Sequence, residues 1–223
     1  MTGSPAFARE GGEALNPALA AFVRDVERLC ARQLALPALL AELTRLFREL
    51  LAVPALLPSA LEGPPSGEAP QSERGSCVVP LAPPLSYPAG YTQHLLHATD
   101  RGPFSLVAFV WRPGARTPVH DHRAWGLAGV YRGVEQETRY RWVDLPGGRS
   151  GLQPVATREV GQGEVVPILP PEDIHRVENS TAALTVSLHL YGLNLQATPR
   201  ASSVRRIYPP QLLLPPPVPA ARG

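Results

Sequence analysis

The sequence predicts a mainly β domain, a sandwich or a barrel, with a helical extension at its N-terminus. Three observations predict it. From Tyr91 onward, short runs rich in Val, Leu, Tyr, Phe and Trp are separated by turn signals such as Asp100-Arg101-Gly102-Pro103, Pro113-Gly114 and Pro146-Gly147-Gly148, the pattern of short strands in a closed or sandwiched sheet. Ahead of them lie two apolar stripes at helical spacing. Between the two parts, residues 53–90 are dominated by proline, glycine and serine, which disfavours regular helices and central strands.

Taken in order, residues 1–15 read as a flexible N-terminus and residues 16–52 as the helical extension. Asn16-Pro17 supplies an N-cap and a proline at the first helical position, and Leu19, Phe22, Val23, Val26, Leu29 and Cys30 recur at helical spacing, so one helix is expected to run to about Leu36. Pro37 opens a second in the same way, with Leu39, Leu40, Leu43, Leu46, Phe47 and Leu50 as its stripe. Stripes this wide predict packing against the main domain. Residues 53–90 connect the extension to a barrel over 91–198, and residues 199–223 form a C-terminal segment whose proline-rich end, PPQLLLPPPVPAARG, is expected to be extended or disordered.

Composition bounds the function. The 223 residues suit one globular domain with extensions, and 21 Lys+Arg against 19 Asp+Glu leave a formal charge of +2, too near neutral for a nucleic-acid partner. All the basic residues are arginines. Cys30 and Cys77 make no disulfide framework, and a reducing compartment fits. The first residues lack a basic and then apolar leader, and no apolar run reaches the length of a membrane span, so a cytoplasmic protein without a membrane partner is expected.

The stretch PVHDHRAWGLAGVYRG, Pro118 to Gly133, carries the chemistry. On a strand, residues i and i+2 share a face, so His120 and His122 aim together into a barrel while Asp121 points away, which is the geometry of a chelate. A lone H-x-H also recurs by chance, and here the context adds to it. Gly114 lies six residues before His120, Gly133 closes the run, and His175 appears downstream with Asn179 four residues later. This spacing resembles the two motifs of the cupin superfamily. The general cupin pattern has a glutamate ligand after the histidine pair, and here the matching place is Gly126. Three neutral imidazoles suit iron, zinc, copper or nickel, and omission of the carboxylate leaves coordination positions open for substrate and oxygen.

HDHRAWGLAGVYRGVE, the EDIHRVEN segment and TVSLHLYGLN together resemble the bacterial thiol dioxygenases, cupins of the cysteine dioxygenase family, and among them the 3-mercaptopropionate dioxygenases. The similarity covers about Tyr91 to Arg200. It implies a double-stranded β-helix, a jelly-roll barrel, with an N-terminal helical extension. It also implies Fe(2+) held by His120, His122 and His175, with Ser187, His189 and Tyr191 as a catalytic set beside it. On the residues themselves, those three alternate along one strand and share a face, which lets the serine hold the histidine and the histidine hold the tyrosine hydroxyl.

The resemblance extends to substrate. Where mammalian-type cysteine dioxygenases carry Y-T-R, this chain reads Tyr91-Thr92-Gln93, and Arg200 sits nine residues after Tyr191, the pattern of the mercaptopropionate group. Arg200 and Gln93 are therefore the expected substrate-binding residues. The mammalian enzymes also carry a cysteine that crosslinks to the tyrosine, whereas Gly126 and Leu127 stand here, so Tyr191 is expected to stay unmodified. The implied reaction takes a small thiol and O2 to a sulfinic acid, with 3-mercaptopropionate as the thiol, or cysteine or mercaptosuccinate as alternatives. A non-catalytic metal-binding cupin sensor is the alternative of another class.

Overall fold

A computed structural model describes residues 16–58, 61, 79–80, 90–98, 103–171, 173–195 and 205–217. Helix α1 spans Pro17–Ala31 and helix α2 spans Leu36–Leu51. Asn16 caps α1, its side-chain oxygen accepting from the Ala18 amide at 2.9 Å. α1 stops at Ala31 rather than near Leu36. Pro37 belongs to the first turn of α2 and Gln33 takes a φ of +50°, so the residues between must form the turn that separates the helices.

Eleven strands follow: β1 (Val79–Pro80), β2 (Tyr91–Ala98), β3 (Ser105–Trp111), β4 (His120–His122), β5 (Gly126–Arg132), β6 (Val134–Leu145), β7 (Arg149–Gly161), β8 (Val165–Ile168), β9 (His175–Glu178), β10 (Thr185–Tyr191) and β11 (Arg205–Ile207). They form a six-stranded sheet ordered β1-β2-β3-β10-β5-β8 and a five-stranded sheet ordered β11-β4-β9-β6-β7. The strand pairings are antiparallel. The architecture is the mainly β barrel with N-terminal helices that the sequence predicts. β1 lies within the proline-rich segment, and it sits at a sheet edge, the one place where Pro80 costs no ladder hydrogen bond.

β10 is buried on both faces because each face meets a different partner. Val186, Leu188 and Leu190 join the core built by the helices, around Phe22, Val26, Leu43 and Phe47. Ser187, His189 and Tyr191 point the other way, into the barrel. The helices approach closely because β5 yields at Gly129, where a Cβ would lie 2.7 Å from Leu51 Cδ1 and 3.2 Å from Phe47 Cε1. Phe22 and Phe47 stack at 5.5 Å between ring centres. The extension thus backs the strand that carries half of the site.

Of the proline-rich end, the described residues to 217 are largely extended, with Pro209 and Leu213 in β conformation and the prolines exposed, but they are anchored to the barrel. Pro210–Leu212 form a 3-10 turn, and the Leu214 amide donates to the Leu152 carbonyl at 2.9 Å. Its leucines are the cause. Leu212 and Leu213 pack on a core of Val119, Leu152, Ile174 and Tyr208, which would otherwise open to water.

Candidate metal centre

β4 is only three residues long, yet each does something different. His120 and His122 face the interior, and Asp121 faces outward and ties β4 to β11. The Asp121 carboxylate accepts from the Arg206 guanidinium and from the Tyr208 hydroxyl, the latter at 2.8 Å. β9 lies on the other side of β4, with His175 in register against His120. The pairing brings together histidines that are 55 residues apart in sequence.

The ligand nitrogens of His120, His122 and His175 lie within 4.8 Å of one another, and all three residues are buried. What fixes their tautomers is the opposite side of each ring. His120 Nδ1 meets the Pro118 carbonyl at 3.0 Å, His122 Nδ1 meets Asp173 Oδ2 at 2.7 Å, and His175 Nδ1 meets Glu137 Oε1 at 2.9 Å. A carbonyl or carboxylate only accepts, so each Nδ1 carries a proton, which leaves each Nε2 as the nitrogen that a metal ion would take. Burial disfavours the charged form of His120 and of His122, and the neighbouring imidazoles add to it.

Two of these nitrogens, His120 Nε2 and His175 Nε2, stand 3.2 Å apart. Without a proton between them that approach is repulsive, and it is relieved by a cation. A metal bound at about 2.0–2.1 Å, with ligand angles near 90–110°, would separate two imidazole nitrogens by about 2.9–3.4 Å. The donor set therefore fits a metal ion. Gly126 adds nothing to it. A Cβ there would lie 2.8 Å from the Leu190 carbonyl oxygen and 3.2 Å from Tyr191 Cδ1, so the barrel has no room for the fourth, carboxylate ligand.

Beside the histidines runs a chain of hydrogen bonds along β10. Ser187 Oγ and His189 Nε2 are 3.1 Å apart, and His189 Nδ1 and the Tyr191 hydroxyl are also 3.1 Å apart. The Trp111 indole donates to Ser187 Oγ at 3.0 Å. Tyr191 stacks on His122 at 5.8 Å, which places the end of the chain at the metal centre. Burial holds His189 neutral and the Tyr191 phenol protonated. The structure thus assembles Ser187, His189 and Tyr191 in one line. The cavity they share is walled by Phe109, Trp111, Ala128, Val166, Ile168 and Val177, apolar side chains that raise the weight of every polar group inside.

Gln93 is buried on β2, in register with Phe109, whose ring lies 4.2 Å from that of His189. Its Nε2 has no hydrogen-bond partner among the described residues. Arg200 lies outside the described residues. Sequence reasoning missed Asp173, Glu137, Glu135, Trp111 and Arg205. Arg205 lines the cavity, in register with His122 across β11 and β4. The signal for the two glutamates was present: Glu135 and Glu137 alternate on one strand and so share a face.

The sequence family described as cysteine dioxygenase type I matches residues 86–205 of the chain. Among solved structures, a cupin-2 domain protein of Rhodospirillum rubrum is 16% identical, with 67% of this chain and 87% of that chain covered and a TM-score of 0.45. A cupin 2 conserved barrel domain protein of Rhodopseudomonas palustris is 16% identical over 61% of this chain and 81% of its own, with a TM-score of 0.43. An oxalate oxidase in complex with the substrate analogue glycolate is 20% identical over 48% of this chain, with a TM-score of 0.38. The chain spans about half the length of that oxidase, 53%.

Proposed function

The chain belongs to the cysteine dioxygenase type I family, which matches residues 86–205 of its 223, and we propose that it is a non-haem Fe(II) thiol dioxygenase acting on a small thiol carboxylate. The thiol we propose is 3-mercaptopropionate, and the product is 3-sulfinopropionate, in which sulfur carries both atoms of O2. The observation that supports this reading most directly is the Ser187–His189–Tyr191 chain ending against His122, one of three histidines whose ligand nitrogens converge.

His120, His122 and His175 would hold the metal. Bound there, iron(II) supplies a place for the sulfur as thiolate and the one-electron chemistry that O2 requires. Tyr191, protonated and oriented by His189, presents its hydroxyl to the space beside the metal. The substrate carboxylate meets an arginine, whose planar fork suits bidentate pairing. The position after Tyr191 nominates Arg200, and the register with His122 nominates Arg205 as a second cation within reach. Gln93, whose buried Nε2 has no partner among the described residues, is the residue we propose for the far end. The apolar walls of the cavity keep these contacts strong.

Oxygen uptake and sulfinate formation by iron-loaded and zinc-loaded protein, with 3-mercaptopropionate, cysteine, mercaptosuccinate and cysteamine, test the proposal. The iron form is expected to consume one O2 per sulfinate, with 3-mercaptopropionate preferred and cysteamine poor, and the zinc form to be inert because zinc has no redox chemistry. Arg200→Ala should cost roughly 10- to 150-fold in kcat/KM for 3-mercaptopropionate, the worth of about 1.5–3 kcal/mol of charge-assisted contact, and little for cysteamine. Gln93→Ala should cost less. A loss found in Arg205→Ala alone moves the carboxylate anchor to β11. Turnover by zinc, or metal binding without sulfinate from any of the thiols, refutes the activity.

A further inference from the structure

Glu135 is a buried carboxyl to which the chemistry above gives no task. It lies on β6, is 5% exposed and lines the cavity, and its Oε1 has no hydrogen-bond partner among the described residues. It shares the cavity wall with Trp111, whose indole donates to Ser187 Oγ at 3.0 Å, and these two groups stabilise its ionised form, which puts it at the end of the β10 chain remote from Tyr191. We propose that Glu135 is the fourth member of that chain, a positioning residue whose proton sets the direction of its hydrogen bonds and hence whether Tyr191 offers the metal cavity a proton or a lone pair. The inference rests on the reading of Ser187, His189 and Tyr191 given above.

Counting donors leaves two arrangements. With Glu135 protonated, its O–H donates to Ser187 Oγ, which also accepts from Trp111. The Ser187 hydroxyl then donates to His189 Nε2, His189 Nδ1–H donates to the Tyr191 oxygen, and the Tyr191 proton points into the cavity. With Glu135 ionised, the Ser187 hydroxyl turns to the carboxylate. His189 then carries its proton on Nε2 and donates to Ser187, and Tyr191 must donate to His189 Nδ1, leaving only oxygen lone pairs toward the metal. The proton released goes to solvent, and no member of the chain except Glu135 changes its net charge.

The surroundings make this carboxyl able to change state near neutrality. Burial raises its pKa, and Glu137 on its own strand raises it further, while the Ser187 and Trp111 contacts act against them, for a result of about 7. The other walls give it little to answer. β7 presents Val160, β5 Ala128 and Val130, and β8 Val166. The remaining titratable or charged groups of the cavity are His120 and His122 on β4, His175 on β9, His189 and Tyr191 on β10, and Arg205 on β11. The sign follows: Tyr191 is a donor below the Glu135 pKa and an acceptor above it.

Infrared difference spectra of the metal-loaded protein across neutral pH read this without turnover. The expected result is that the carbonyl stretch of a protonated carboxylic acid disappears as pH rises, and that the C–O stretch of isotope-labelled tyrosine shifts with the same midpoint. Glu135→Gln, whose amide still donates to Ser187, should abolish both changes. Ser187→Ala should keep the carboxyl band titrating and uncouple the tyrosine shift. In turnover, the wild-type rate should fall about tenfold per pH unit above the midpoint, and Glu135→Gln should remove that limb. A carboxyl that ionises in the ordinary acidic range, or a tyrosine signal unchanged while Glu135 titrates, overturns the proposal. Failure to oxidise thiols would strike the function alone, since the spectra need no substrate.

Discussion

Adding a carboxylate ligand at Gly126, beside the three histidines, should damage this protein rather than improve it. The perturbation is Gly126→Glu, with Gly126→Ala as its companion. Gly126 stands in β5 opposite Tyr191 in β10 and Ile168 in β8. A Cβ at this point falls 2.8 Å from the Leu190 carbonyl oxygen, which is backbone in the sheet and cannot rotate away, and 3.4 Å from Ile168 Cδ1. The collision is with the first added carbon, so alanine already incurs it. Overpacking of this kind costs about 1–3 kcal/mol, which for a chain of this length lowers Tm by roughly 2–12 °C. Glutamate adds a buried charge to the same collision and should lie lower still.

Thermal melts of metal-loaded and metal-free protein, together with metal titration, measure both halves of the argument. A useful fourth ligand would raise the Tm of Gly126→Glu selectively in the presence of metal, since any ligand bound to the folded state stabilises it by mass action. The expected result is a similar loss with and without metal, and no tighter binding. A metal-dependent gain in Tm with tighter metal binding would refute the reasoning that β10 closes this position.

Two further outcomes are expected. Asp173→Ala removes the partner of both His122 Nδ1 and the His122 amide, at 2.7 and 3.1 Å, and should weaken metal affinity by about 10–100-fold in competition with a chelator. Tyr191→Phe removes a hydroxyl and no ligand, so metal stoichiometry should be unchanged while the rate of thiol oxidation falls by about 10–100-fold.

The fold class and the helical extension were legible because their signals are periodic. A stripe such as Leu40, Leu43, Phe47 and Leu50 needs no partner to be read as a helix face, and structure buries all four. The histidines were legible because the alternation of a strand puts His120 and His122 on one side wherever the strand lies. What was hidden depends on pairing between strands distant in sequence. Asp173 and Glu137 become partners of His122 and His175 only once β9 lies between β4 and β6. β11 was hidden for a different reason: Arg205-Arg206-Ile207 has little strand character of its own, and it is held by the Asp121 contacts to Arg206 and Tyr208 and by pairing to β4. Local propensity is silent where tertiary contacts decide.

The charge inside the barrel bears on the choice among thiols. Glu137 is held ionised, at about 2, because its bond to His175 and the cations of Arg139 and Arg158 outweigh the burial that pushes it up. Arg139 and Arg158 lie at 3.3 and 2.7 Å from it, so that carboxylate is already neutralised. Asp173 commits one oxygen to His122. Arg205 forms no ion pair among the described residues, and imidazole ligands bring no negative charge to offset a divalent cation. With a divalent cation bound, the cavity would carry an excess of positive charge in apolar walls, where it is weakly screened. A thiol carboxylate bound as thiolate and carboxylate brings two negative charges to meet it. Cysteine brings an ammonium as well, which needs an anionic acceptor, and the remaining carboxyl of the cavity wall is Glu135, raised to about 7 and engaged in the proposed chain through Ser187. While that carboxyl keeps its proton, it offers an ammonium no opposing charge, which supports the proposal of 3-mercaptopropionate over cysteine.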